Sequence, residues 1–133
     1  MSEALHLKVV TPVRVLVDAA VDSVTVPGAL GELGILPGHS PLLGSLGIGE
    51  LTYRQGKDVH TLAIFRGFLE VAGSAVTVLA DAAELPDEID VPAAKAARIA
   101  AEDALRTAAG EEQDKAREQL ESATLRLAVA VSA

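Results

Sequence analysis

Seven of the chain's 11 glycines fall between Gly28 and Gly49, and that density is the first candidate for chemistry. A glycine-rich stretch can wrap a phosphate with backbone N–H groups when a lysine reaches the phosphate and a helix comes next. Neither condition is met. No lysine stands between Lys8 and Lys57, GxxxxGK[ST] and GxGxxG are both absent, and the residues after the cluster read as strand. The glycines are read instead as turn formers and as places where one backbone approaches another closely. His39, between Gly38 and Ser40-Pro41, falls in a turn, while His6 and His60 fall on separate strands at solvent-facing positions, so no metal set assembles. A serine–histidine–aspartate arrangement lacks its Gly-x-Ser-x-Gly elbow. Glu32, beside Leu33 in the same stretch, is an ordinary exposed carboxylate without an acidic companion, and the chain has no cysteine for thiolate or metal chemistry. The residues imply no catalytic site and no metal site, and they leave His39 a structural or interface role.

Composition narrows the classes further. A net charge of -8 argues against a phosphate-binding surface for nucleic acid. Tyr53, Phe65 and Phe68 are the whole aromatic complement, too few for a stacking platform, so the core must be built from Val, Leu, Ile and Ala. A length of 133 residues suits one domain, or one compact domain with a short appendage. Met1-Ser2-Glu3-Ala4 has no basic region leading into an apolar run, so no secretory leader is expected. Every apolar run is interrupted well short of the roughly 20 residues that span a bilayer, so membrane association is expected through a partner alone.

These residues must be positioned by elements, and the chain changes period near Leu85-Pro86-Asp87. Over residues 1–85 apolar residues alternate: Leu5, Leu7 and Val9, then Val13, Val15 and Val17, Val24 and Val26, Leu62 and Ile64, Leu69 and Val71, Val76 and Val78. Period two with β-branched enrichment predicts strands, and Thr11-Pro12, Gly56-Lys57-Asp58 and Ala72-Gly73-Ser74 sit where turns would fall. Over residues 86–133 the period switches. Ala94, Ala97, Ala101, Ala104 and Ala108 form one helical seam, and Ala116, Leu120, Ala123, Leu127 and Ala130 another. Asp90 can cap the first helix, Pro92 sits in its first turn, and Gly110 separates it from the second. The fold expected is mixed: an N-terminal antiparallel β-sandwich followed by a C-terminal antiparallel α-helical hairpin.

An alanine seam allows close helix approach but buries little side chain, so at about 25 cal/mol per Å² it contributes less than a leucine seam. Helices of high intrinsic propensity persist when separated, so the pattern predicts a hairpin that can open. Lys95, Arg98, Glu102 and Arg106 make a solvated, self-paired face. Ile99, opposite the alanines, either packs on the β-domain or anchors the helix on another protein. From the residues alone, a β-sandwich binding module carrying a partner-recognising hairpin remains a full reading.

Four stretches in order resemble one known family. Val9-Val10-Thr11-Pro12 is similar to its first strand and turn, and Pro27 to His39, continuing through Pro41-Leu42-Leu43, to its most distinctive loop. Gly67-Phe68-Leu69-Glu70-Val71 and Val76 through Glu84 resemble the end of its sandwich, and Glu88-Ile89-Asp90 the start of its hairpin. This is the epsilon family of the bacterial F-type ATP synthase, delta in mitochondria. The resemblance implies a non-catalytic central-stalk rotor subunit that couples the gamma subunit to the c-ring during ATP synthesis by a proton-translocating enzyme. Ala29, Leu30, Gly31, Glu32 and Leu33 are implied to contact the c-ring, and His39, Pro41 and Leu42 to contact gamma. The hairpin is implied to fold on the sandwich or to extend along gamma towards the alpha and beta subunits, inhibiting ATP hydrolysis. The implied location is peripheral, on the cytoplasmic face of the bacterial cell membrane, held there by the complex.

Some members of that family bind ATP on the folded hairpin through a pattern resembling I/L-D-x-x-R-A. Here the segment reads Ile89-Asp90-Val91-Pro92-Ala93-Ala94, so Ala93 replaces the arginine; Ser122 replaces a second basic residue, while Arg126 matches another. The residues that would form such a site are Glu84, Asp90, Ala94 and Arg126. Each lost cation removes a charge-assisted bond worth roughly 1.5–3 kcal/mol, so no cofactor is expected and ATP as a regulatory ligand no tighter than millimolar. Inhibiting hairpins in the family present basic residues to an acidic stretch of beta. The second helix here sets Glu111, Glu112, Asp114, Glu118 and Glu121 against Lys115, Arg117 and Arg126, which predicts weak attraction. Inhibition is then mild, or depends on apolar contacts by Leu120, Leu125 and Val129.

Overall fold

The structure, a computed structural model, describes residues 4–131; Met1-Ser2-Glu3, on which the leader reading rests, lie outside them. Seven strands come first: β1 (Leu5–Val10), β2 (Val15–Val21), β3 (Ser23–Gly28), β4 (Gly31–Ile35), β5 (Leu42–Gln55), β6 (Asp58–Ala72) and β7 (Ala75–Glu84). They hydrogen-bond in the order β2-β1-β7-β6-β5-β3-β4 and fold over one core of Val, Leu and Ile. Every ladder is antiparallel except β1 with β7, which run parallel. The alternation read in Leu5, Leu7, Val9, Val24, Val26, Val76 and Val78 is the core face of these strands.

Two long strands join the layers, and each changes its inward face partway. On β6 the buried residues pass from Leu62 and Ile64 to Leu69 and Val71, and on β5 from Leu46 to Leu51. Such a change of parity needs a local bend. On β6 it falls at Arg66 and Gly67, both at positive φ (63° and 150°). On β5 it falls at Gly47 to Gly49, where a Cβ on Gly49 would lie 2.6 Å from the Pro27 Cβ. Close backbone approach is therefore what the glycines serve here.

Three sequence expectations need correction. The glycine-rich loop is largely sheet: Gly31–Ile35 is β4, and Gly44, Gly47 and Gly49 lie inside the 14-residue β5. Their missing side chains erased the alternation by which a strand is recognised. Val13 and Val15 do not continue a core face, because Val13 lies in the β1–β2 turn and Val15 points outward; Val17 and Val21 carry the burial. In α1 (Val91–Leu105), Ala94 and Ala101 are buried, but Ala97 and Ala104 are exposed, and Arg98 and Leu105 take their place in the seam. A helix this rich in alanine carries the same period on overlapping faces, so periodicity alone leaves its rotation undetermined.

A 3₁₀ turn at Pro86–Glu88 leads to α1, and α2 (Glu111–Val131) returns antiparallel. The caps are as read: the Ala93 N–H donates to the Asp90 carboxylate at 3.0 Å, and Gly110 breaks the helices with φ +60°. Ala116 and Ala123 of α2 are buried, with Leu120, Leu127 and Ala130 half-buried. A separate small cluster docks α2 on the sheet: Leu125 and Val129 cover Ala63, bordered by Ile48, Phe65 and Ile89. Ile99 does not pack on the β-domain; it is exposed.

Candidate functional site

Residues 23–35 build a projecting tip. In the β3–β4 ladder Pro27 faces Glu32 and Gly28 faces Gly31, which leaves Ala29-Leu30 as a two-residue turn. Gly31 takes φ +140°, and a Cβ on Gly28 would sit 2.5 Å from the Gly31 carbonyl oxygen, so glycine is required at both corners. The Ala29 N–H donates to the Ser45 carbonyl at 2.9 Å and ties the tip to β5. Leu30 is fully exposed, Glu32 and Leu33 are exposed, and a hollow of about 410 Å³ runs beneath them over Gly44 and Ser45. The five residues assigned to a c-ring contact thus form one continuous apolar tip bearing a single carboxylate.

The turn after β4 carries the second set. Gly38 has φ +87°, the His39 N–H donates to the Leu36 carbonyl at 3.1 Å, and His39 Nδ1 donates to the Ser40 carbonyl at 2.7 Å. Pro41 is exposed, whereas Leu42 leans half-buried on the core. Among the described residues no group of three potential metal ligands forms, and no helix is long and apolar enough to cross a membrane.

A third surface escaped the sequence reading. Val15 pairs with Val10, Val10 with Leu79, Leu79 with Phe68 and Phe68 with Ser45, one row crossing five strands on the outward side of the sheet. Val15, Leu79 and Phe68 are 54%, 52% and 61% exposed, and Leu43, two residues along β5, is 75% exposed. Contiguous apolar side chains on a sheet face mark an interaction surface where scattered ones would not. Its signal was present as apolar neighbours of core residues: Val10 after Val9, Leu79 after Val78, Phe68 before Leu69.

The four residues grouped for a nucleotide are brought only partly together. Arg126 Nε and Nη2 donate to the two Glu84 oxygens at 2.8 and 3.0 Å, with the guanidinium 4.6 Å over the Phe65 ring. Asp90 is occupied as a helix cap, and Ala94 is buried in the seam. A groove of about 590 Å³ between the helices is lined by Ala97, Ala100, Lys115, Glu118, Gln119, Ser122 and Arg126. Lys115 is the cation there that no described ion pair engages. Two further pairs bind the parts: Arg66 Nη1 to Glu118 at 2.6 Å, and Arg14 in a two-bond fork to Glu88 at 2.6 and 2.7 Å. The Arg14 guanidinium, helped by the Leu85 N–H, holds the Glu88 carboxyl down to about 2.

Residues 4–86 match the family described as ATP synthase, Delta/Epsilon chain, beta-sandwich domain. The chain is 44% identical to ATP synthase epsilon chain 2 of Syntrophotalea carbinolica over 98% of its own length and 96% of that protein's. It is 45% identical to the ATP synthase epsilon chain of Geobacter metallireducens over the same shares. Its fold superposes on a chain of the Euglena gracilis mitochondrial ATP synthase (OSCP/F1/c-ring) with a TM-score of 0.84 at 21% identity, covering 96% of this chain and 81% of that one. A chain of the Tetrahymena thermophila mitochondrial ATP synthase central stalk and c-ring gives a TM-score of 0.63 at 13% identity, covering 97% and 98%.

Proposed function

The chain belongs to the ATP synthase delta/epsilon family, a non-catalytic subunit of the synthase, and from that membership we propose that it sits in the central stalk and couples the gamma subunit to the c-ring. The observation that carries this reading is the outward row Val15, Val10, Leu79 and Phe68 with Leu43, an apolar sheet face of the kind a permanent partner covers. Gamma is the partner assigned to it, together with His39, Pro41 and the Leu42 end of β5. The tip Ala29, Leu30, Gly31, Glu32 and Leu33 is assigned to the c-ring. It lies on the β3–β4 hairpin, next to the Ser45 end of the row and farthest in strand order from Val15, so the two contacts adjoin. Coupling to proton flow and a peripheral position on the cytoplasmic face of the bacterial membrane follow from that place in the complex.

The hairpin is assigned a secondary, regulatory role, extending towards the alpha and beta subunits with mild inhibition of hydrolysis. Leu125 and Val129 are engaged on the sheet while the hairpin is folded, so they become available to other subunits only after it opens. ATP binding at Glu84, Asp90, Ala94 and Arg126 is proposed to be millimolar or weaker. Ala93 offers no cation, Asp90 is committed to its cap, and Arg126 is already neutralised by Glu84. Capture of gamma from cell membranes by the tagged chain, with and without replacement of residues 29–33, tests the two-partner reading. Gamma is expected in both captures and c-ring in the unaltered one alone; absence of gamma from both would overturn it.

A further inference from the structure

We propose that Arg66 is an electrostatic latch that holds α2 against the sandwich, with the acidic stripe of α2 as its counterpart. The proposal rests on the reading that the hairpin can open. Arg66 is the single non-glycine residue at positive φ among those described, with φ 63°. An L-residue is sterically strained in that conformation and glycine would take it freely, so contacts made here must offset the cost to its backbone.

The surroundings show how. The β5–β6 and β6–β7 ladders both skip Arg66 yet keep register, with Phe65 opposite Ile48 and Ala82, and Gly67 opposite Leu46 and Ala80. The next residue fixes the bend: Gly67 has φ +150°, and a Cβ there would lie 2.2 Å from the Leu79 carbonyl oxygen. The bend carries the Arg66 guanidinium to α2, where it reaches Glu118 at 2.6 Å. Asp114, Arg117, Glu118 and Glu121 surround it from the helix, and Asp81 acts on it from β7. Asp114, Glu118 and Glu121 are spaced four and three apart, so they stack like charges on one helical face, which by itself destabilises a helix. Arg117, bonded to Asp114 at 3.5 Å, offsets part of that repulsion, and Arg66 supplies a further cation from the sheet. Glu118 shares its face with Leu125 and Val129, seven and eleven residues on, the pair that docks α2. The acidity of α2 therefore favours the folded hairpin as well as weakening attraction elsewhere.

Native-state hydrogen exchange on the full chain tests the latch, comparing the unaltered protein with Arg66→Gly and with Glu118→Gln. Because the pair is half-exposed, both variants are expected to speed exchange of the α1 and α2 amides by roughly twofold to fivefold. Raising salt from about 0.05 to 0.5 M should speed helix exchange in the unaltered protein more than in either variant. The strands should behave differently: Arg66→Gly relieves the strained backbone, so β5 to β7 exchange no faster, or more slowly. Helix rates that exceed the strand rates yet are identical in all three proteins would overturn the latch and leave opening intact. Helices exchanging at the strand rate in every protein would overturn both.

Discussion

Glu88 and Gly67 show how much a single residue does in this chain. Glu88 is held at about 2, below its ordinary 4.5, by the Arg14 guanidinium and then by the Leu85 N–H. A depressed carboxyl contributes stability above its unfolded value, and that contribution disappears as pH falls from about 4.5 towards 2. Glu88→Gln is therefore expected to lower the melting temperature at pH 7, with the gap to the unaltered protein narrowing below about pH 4.5 and closing only towards pH 2; a gap independent of pH would contradict this. Gly67 and Gly73 separate two uses of glycine. A Cβ at Gly67 would strike the Leu79 carbonyl as well as suffer φ +150°, whereas Gly73 has φ +59° with open space around it. Urea denaturation should show a loss of about 3 kcal/mol for Gly67→Ala and about 1 kcal/mol for Gly73→Ala. The sequence made close approach and turning legible as the uses of glycine. It could not say which glycine does which, because the obstructing atom at Gly67 or Gly49 comes from another strand.

Among the elements, those with a regular period were the legible ones. β1, β3, β7 and both helices announce themselves by alternation or by three-and-four spacing, and the caps at Asp90 and Gly110 set the hairpin's ends. β5 was hidden because glycine contributes nothing to a hydrophobic pattern, and the rotation of α1 was hidden because alanine contributes the same on every face. The tip at Ala29 to Leu33 was legible by resemblance, while the Val15–Val10–Leu79–Phe68 row was not, since register across four strands is a property of pairing. Docking of α2 through Leu125 and Val129 is small, so Leu125→Ala should weaken it by about 2 kcal/mol. The expected record is faster exchange of α2 with β1 and β7 unaffected; equal loss in the strands would mean that the hairpin and sandwich unfold as one. Titration calorimetry with ATP should show affinity no tighter than millimolar, and micromolar binding would contradict the closed Glu84–Arg126 pair as the resting state. Truncation after Leu85 should raise ATP hydrolysis by the complex only slightly, and a large rise would count against mild inhibition.

At the scale of the molecule, the sandwich presents two exposed surfaces, the apolar row and the β3–β4 tip, and the hairpin docks on it through a small apolar cluster and ion pairs. Family membership and the outward apolar row point the same way: a non-catalytic subunit with a surface suited to holding a partner. In the proposed rotor position the chain keeps one partner firmly while bearing against another, and an apolar sheet face suits the first task better than a two-residue turn does. The most direct test is the affinity of purified gamma for the full chain, for Phe68→Ser/Leu79→Ser, and for Leu30→Ser. The double substitution should weaken gamma binding by about a hundredfold, and Leu30→Ser should leave it unchanged. Undiminished binding by the double variant, or loss on changing Leu30 alone, would contradict the assignment of gamma to the sheet face.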